Sequence, residues 1–335
     1  MEGPLGKVSR AKRSVNKRLD ALLKSAELDS CCLAADAPWL SSSLAVREQN
    51  GDVLHVRHGL YARASYWAAL NQVERHLHIA RALARKHPNW IFCRMTAALA
   101  LGLSVTYARH SFEEVPIEIA VPSNTHCGLR HGVRLLPHEA GGTLWQASGL
   151  LVTRPARTVF DCVRSLPFDE SLAMADSALH LRLMREDELA TLVEDAGPAR
   201  GIRNARRVLA HMDGRSESGG ESMVRARMIE LGYVVPELQV EFPNPLAPGR
   251  AYRADMLVRC GERLVVVELD GKCKYEEPEM LGGRTTLGVL LDERQREALL
   301  TSHGVEVMRL RYEDVMDEAR FVRMMDAYRI PRATR

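Results

Sequence analysis

Residues 253–275 read RADMLVRCGERLVVVELDGKCKY. Arg253 to Val258 forms a short strand pattern opened by a carboxylate, Asp255. Cys260-Gly261-Glu262-Arg263 is a tight polar turn, and Leu264 to Leu269 is a nearly continuous β-branched run, as suits a strand covered on both faces. Strand alternation puts Glu268, Asp270 and Lys272 on one side. Carboxylates brought close in a half-buried sheet repel one another and lose hydration, so a compensating charge is required. A hard divalent cation such as Mg²⁺ or Mn²⁺ meets that need with carboxylate and water ligands. A lysine nearby can then assist a metal-bound water in attacking a phosphodiester. Ordinary solvated acids on a sheet are the plainer alternative.

Upstream, Glu221, Val224, Met228 and Leu231 fall at helical spacing in a helix expected over Glu217 to Leu231, which turns Glu221 toward the sheet. Downstream, a helix is expected near Val289 to His303 and a strand over Val305 to Leu310. This order, with Asp255, about a dozen residues and then Glu268-Leu269-Asp270-Gly271-Lys272, resembles the PD-(D/E)XK nuclease superfamily, and most of all its Vsr-like branch. The resemblance implies a restriction-endonuclease-like domain over residues 217–328, with Glu221, Asp255 and Glu268 as metal ligands. It implies Asp270 as a further ligand or orienting group and Lys272 as the residue that helps activate water. Two positions depart from the pattern. Ala254 stands where the motif name has proline, and Asp270 stands at the usual lysine, leaving Lys272 or Lys274 as substitutes. A nuclease-like fold that binds without cutting is therefore the competing reading. In the expected downstream helix, the resemblance suits Arg296 to a phosphate contact, against a surface ion pair with Glu293 or Glu297.

The whole chain has 335 residues, enough for two or three domains with their own cores. A net charge of +3 does not by itself announce a nucleic-acid partner. The charge is uneven, however: Lys7, Arg10, Lys12, Arg13, Lys17 and Arg18 form a basic arm, suited either to a phosphate backbone or to solvent. Seven scattered cysteines without a CxxC pair argue for a reducing compartment and against a structural zinc. The first residues lack a secretory pattern and the longest apolar runs fall short of a membrane span. The expected location is the cytoplasm, with no membrane partner.

Residues 14–63 read as helix (Asn16 to Ala26), short helix (Cys31 to Ala35), helix capped by Ser41 or Ser42, and a hairpin running to Tyr61. That is the order of a winged helix-turn-helix, and its Arg57-His58-Gly59-Leu60-Tyr61 run resembles the N-terminal domain of AbiEi-type antitoxins. The resemblance implies double-stranded DNA as partner and a cognate toxin as a possible second one. Ser42, Ser43 and Arg47 would lie on the major-groove helix, and Arg57 and His58 on the wing. An exposed hairpin without ligand is the alternative for Arg57 and His58, and a core role that for Tyr61.

Residues 64–212 form a mixed α/β middle region. It opens with one long helical stretch over Ala64 to His87, ended by Pro88. Ala97 to Leu103 and Ala156 to Asp161 loosely resemble the AbiEi-type continuation. Arg157 and Asp161, four apart on a helix, read as a pair with each other. The expected fold is α/β, α+β overall. The expected activity is metal-dependent DNA hydrolysis, with a non-catalytic antitoxin or repressor as the alternative.

Overall fold

The structure is a computed structural model, and it describes residues 4–106, 114–138, 144–244, 251–270, 301 and 304–333. The chain divides into two compact units, Met1–Cys162 and Val163–Arg335. The fold is mixed α/β, α+β overall, with three sheets among the described residues. None of the described helices is long and apolar enough to cross a membrane.

The first unit begins with α1 (Pro4–Leu28), whose first half carries the basic arm. Then come β1 (Leu33–Ala34), α2 (Pro38–Gln49), and the hairpin β2 (Val53–Arg57) and β3 (Leu60–Arg63). β3 sits between β1 and β2, antiparallel to both. Leu19 and Leu23 of α1 and Leu40 and Leu44 of α2 are each four apart, so each pair lies on one helix face, and they close on Val53.

Two local expectations are corrected here. Cys31 to Ala35 is not helical: Ser30, at φ +49°, turns the chain out of α1, and Leu33 and Ala34 pair with Tyr61 and Leu60. The next helix is not capped by Ser41 or Ser42. It starts at Pro38, whose fixed φ suits a first helical turn, and the serines lie inside it. Tyr61 packs against the small core, as its alternative reading had it.

Ala64 to His87 is two helices, α3 (Ala64–Ala69) and α4 (Gln72–Lys86), rather than one. The break is a capping box: the Asn71 side chain accepts from the Glu74 amide at 2.9 Å, and Glu74 accepts from the Asn71 amide at 2.8 Å. There follow β4 (Ile91–Phe92), α5 (Arg94–Ala100), β5 (Ile117–Pro122), β6 (Gly128–Arg130), β7 (Val133–His138), β8 (Leu144–Ala147) and β9 (Leu150–Thr153). Their sheet has the mixed order β6-β7-β5-β4-β9-β8. In α6 (Pro155–Val163), Arg157 pairs with Asp161 at 2.9 Å.

The second unit opens with four helices, α7 (Phe168–His180), α8 (Glu186–Asp195), α9 (Ile202–His211) and α10 (Gly219–Glu230). Its sheet follows: β10 (Glu237–Pro243), β11 (Ala251–Cys260), β12 (Arg263–Asp270) and β13 (Val305–Arg311), in sequence order across the sheet. The first three run antiparallel and β13 lies parallel to β12. α11 (Tyr312–Met316) and α12 (Glu318–Ala327) close the unit.

The β-branched run of β12 is explained by burial on both faces. Val265 and Val267, with Met256, Val258, Met308 and Leu310, pack on Val224 and Met228 of α10 and on Phe321 and Met325 of α12. Val266 faces the other way, with Ala254, Leu257 and Val305. Each such side chain, fully buried, contributes about 1.5–3 kcal/mol.

Candidate active site

The site is built where α10 begins and β12 ends. Ser218 caps α10: its hydroxyl accepts from the Glu221 amide at 3.2 Å and donates to Glu221 Oε1 at 2.8 Å. The Glu217 amide donates to Glu221 Oε2 at 2.9 Å. These bonds fix the Glu221 carboxylate in a pocket where it is only 7% exposed. Burial raises its pKa above the ordinary glutamate value. The two hydrogen bonds oppose that rise, and the charge of Asp255 adds to it. Glu221 and Asp255 therefore feel one another, as the helical spacing of Glu221 leads one to expect. A second link ties the same two segments: Arg253 of β11 pairs with Glu217 at 2.7 Å.

The β11–β12 ladder pairs Leu257 with Val266 and Met256 with Val267, so its register carried one step further sets Asp255 across from Glu268. Glu268 alternates with Val267 and so shares the face of Val266, away from the face that α10 covers. It is not left to repel other acids. On β13, Arg309 stands beside it in the parallel register, with Nε 3.7 Å from Glu268 Oε2. Asp270 is paired in register with Arg311 in the same way. The compensation that sequence reasoning assigned to a cation is thus supplied in part by two arginines of a strand whose role had not been recognised.

Gln239 is a further residue that the sequence did not single out. The β10–β11 ladder pairs Leu238 with Met256 and Val240 with Ala254, which puts Gln239 opposite Asp255. Gln239 adopts φ +56°, a conformation that non-glycine residues seldom take. Both polar atoms of its side chain are buried without a hydrogen-bond partner among the described residues. An orphaned amide costs about 1–3 kcal/mol, and strain at such positions concentrates at functional sites. Strand alternation also slips here, since Ala254 and Leu257 share one face while Met256 and Val258 share the other.

Carboxylate oxygens beside an unsatisfied amide are the donor chemistry a hard divalent cation accepts. Among the described residues, however, no three His, Cys, Asp or Glu side chains are assembled at ligating positions. Glu221 and Asp255 are coupled, Asp255 and Glu268 are adjacent in register, and the three do not form a closed cage. Lys272, Lys274 and the expected 289–303 helix, with Arg296, lie outside the described residues, Thr301 excepted.

The residues expected to touch DNA are held by the protein itself. The Ser42 and Ser43 hydroxyls donate to the carbonyls of Pro38 and Trp39, one helical turn back, at 3.0 and 2.8 Å. Arg47 bridges Asp20 at 2.6 Å and Asp52. Arg57 donates to the Gly132 carbonyl at 2.5 Å, and His58 stacks on His131 with ring centroids 4.2 Å apart. Sequence reasoning could not see these partners, which lie up to 75 residues away along the chain.

Two Mycobacterium tuberculosis proteins, uncharacterized protein MT2308 of strain CDC 1551 / Oshkosh and uncharacterized protein Rv2248 of strain ATCC 25618 / H37Rv, match this chain. Each is 31% identical over 208 residues, spanning 60% of this chain and 72% of the relative. The chain belongs to their family. The kinship brings no activity with it, since both relatives are themselves uncharacterized. No family model matches the sequence, and no solved structure matches the chain.

Proposed function

We propose that the second unit is a PD-(D/E)XK, Vsr-like nuclease domain and that the chain is a DNA-binding protein that hydrolyses phosphodiesters with Mg²⁺ or Mn²⁺. The observation that carries this reading is the meeting of Glu221, from a helix start, with Asp255, which stands across the ladder from Glu268. The order helix, three antiparallel strands, crossover and parallel fourth strand supports it. A cation held there by Glu221, Asp255 and Glu268 would polarise a phosphate oxygen and lower the pKa of a bound water.

The chain's own residues then have definite tasks. Ser218 and the Glu217 amide orient the Glu221 carboxylate. Arg309 holds Glu268 and keeps it ionised, and Gln239 offers an amide to a water or a phosphate oxygen beside Asp255. Lys272 would assist the attacking water. In the first unit, the order of α2 and the β2–β3 hairpin supports a winged helix of the AbiEi antitoxin type. Its DNA contacts would come from groups other than the charges already engaged at Arg47 and Arg57.

Asp270, standing at the lysine position, favours a second reading: an antitoxin or repressor, with a cognate toxin as partner, that keeps the fold without cutting. Melting curves test the metal site. Millimolar Mg²⁺ or Mn²⁺ should raise the melting temperature of the parent and leave that of Asp255→Asn unchanged, since a ligand of the folded state alone stabilises it. A parent curve that does not move would contradict the metal site.

A further inference from the structure

The first unit contains a cavity of about 300 Å³ that the nuclease reading does not use. Its floor is apolar, made by Leu60, Leu83, Val133 and Leu135. Two turns form its walls. On one side is the β2–β3 turn with Arg57 and His58, and on the other the β6–β7 turn with Arg130 and His131. The end of α4 and the residues after it, Lys86, His87 and Trp90, complete the lining.

The two turns are fastened to each other. Arg57 Nη1 donates to the Gly132 carbonyl, and a Cβ at Gly132 would run into that guanidinium. At φ +74° this position also suits glycine on conformational grounds. His131 beside it has φ +50°, so the turn presents its imidazole in a conformation rarely adopted by non-glycine residues.

Two features of the lining point to one class of ligand. Flat faces come in parallel pairs: His58 on His131 at 4.2 Å and 17°, and His87 on Trp90 at 3.9 Å and 10°. Such faces receive planar rings. The charges are of one sign, with Arg57, Lys86 and Arg130 at the wall and no carboxylate in the lining. Lys86 is shared with Asp36 at 3.1 Å, so Arg57 and the exposed Arg130 carry the excess. A planar base on an apolar floor with an anion at its rim describes a nucleotide, and the volume lies at the lower end of the range of small-molecule sites.

We infer that this cavity binds a single nucleotide unit, its base stacked on the Trp90 and His131 side chains and its phosphate paired with Arg130 and Arg57. The unit can come from a free mononucleotide or from a single strand. This inference rests on the first unit alone and stands or falls apart from the nuclease reading.

Calorimetric titration of the full chain with AMP, adenosine, inorganic phosphate and a short oligo-dA separates the possibilities. AMP should bind, with adenosine and phosphate each weaker by about tenfold or more. Trp90→Ala and Arg130→Glu should each weaken AMP about tenfold. Arg130 is exposed, so its replacement keeps the test valid should the half-buried Trp90 prove necessary for folding. Binding of oligo-dA in place of AMP, with the same loss in both variants, assigns the unit to a strand, and binding of AMP alone assigns it to a free nucleotide. The inference is overturned if neither binds, if adenosine binds as tightly as AMP, or if Arg130→Glu leaves affinity unchanged.

Discussion

Arg225 Nη1 donates to Asp176 Oδ2 at 2.7 Å, and the two side chains are only 4% and 1% exposed. This buried pair joins α10, four residues past Glu221, to α7. Its remaining bonds are made as well: Arg225 Nη2 donates to the His211 carbonyl and the Asp213 amide donates to Asp176, both at 2.7 Å. Burial outweighs these partners and pushes the Asp176 carboxyl up to about 6. The pair therefore sets where α10 lies at a cost in solvation, as buried ion pairs do.

Asp176→Asn should destabilise the protein by about 3–5 kcal/mol, because it strands the guanidinium without a countercharge. The double change Asp176→Leu with Arg225→Leu should recover most of that loss. Urea unfolding of the three proteins checks both statements, and equal losses in single and double variants would contradict them.

Glu221 gives a pH signature. Its folded pKa is raised, so the penalty for its charge is absent below the ordinary glutamate range and grows as pH rises through the folded value. Metal-free parent protein should lose stability over that window, and Glu221→Gln should show a flatter profile there. The comparison rests on slope, since glutamine also loses a bond to Ser218 or to the Glu217 amide. Denaturation between about pH 4 and pH 7 measures it, and parallel profiles would contradict the buried charge.

Glu268 behaves in the opposite sense. Crowded acids alone would make Glu268→Ala stabilising, but Arg309 stands beside that carboxylate. The substitution should cost about 1 kcal/mol in the absence of metal, and Arg309→Ala should cost a similar amount. A gain in melting temperature for Glu268→Ala would contradict the pairing.

Arg47 holds two carboxylates, Asp20 of α1 and Asp52 before β2, while its own side chain is 16% exposed. Arg47→Ala should lower stability by about 1 kcal/mol, and Asp20→Ala combined with it should add little further loss. Full additivity of the two changes in urea would show that the contact is not formed.

Much of the second unit was legible because its signals are local. The Leu264 to Leu269 run, the Gly261 turn and the Ser218 cap each specify their own conformation, and β11, β12 and α10 follow. Glu221 and Asp255 were brought together by periodicity alone. What stayed hidden depends on partners distant in sequence. Arg309 becomes visible as a counter-ion only once β13 is laid parallel to β12, and Gln239 only once β10 is paired with β11. The wing residues were misjudged for the same reason, since the partners of Arg57 and His58 come from the β6–β7 turn. The break at Asn71 was a missed local signal: Asn71-x-x-Glu74 is a capping box in plain view.

Nicking of supercoiled plasmid is the most direct test of the central claim. With Mg²⁺ or Mn²⁺ the parent should convert supercoiled to open-circular DNA. Asp255→Asn, at a half-exposed position, should fold normally and cut slower by on the order of a hundredfold. Intact plasmid with the parent at every metal tested, or equal rates for parent and Asp255→Asn, would contradict a nuclease centred on Glu221, Asp255 and Glu268.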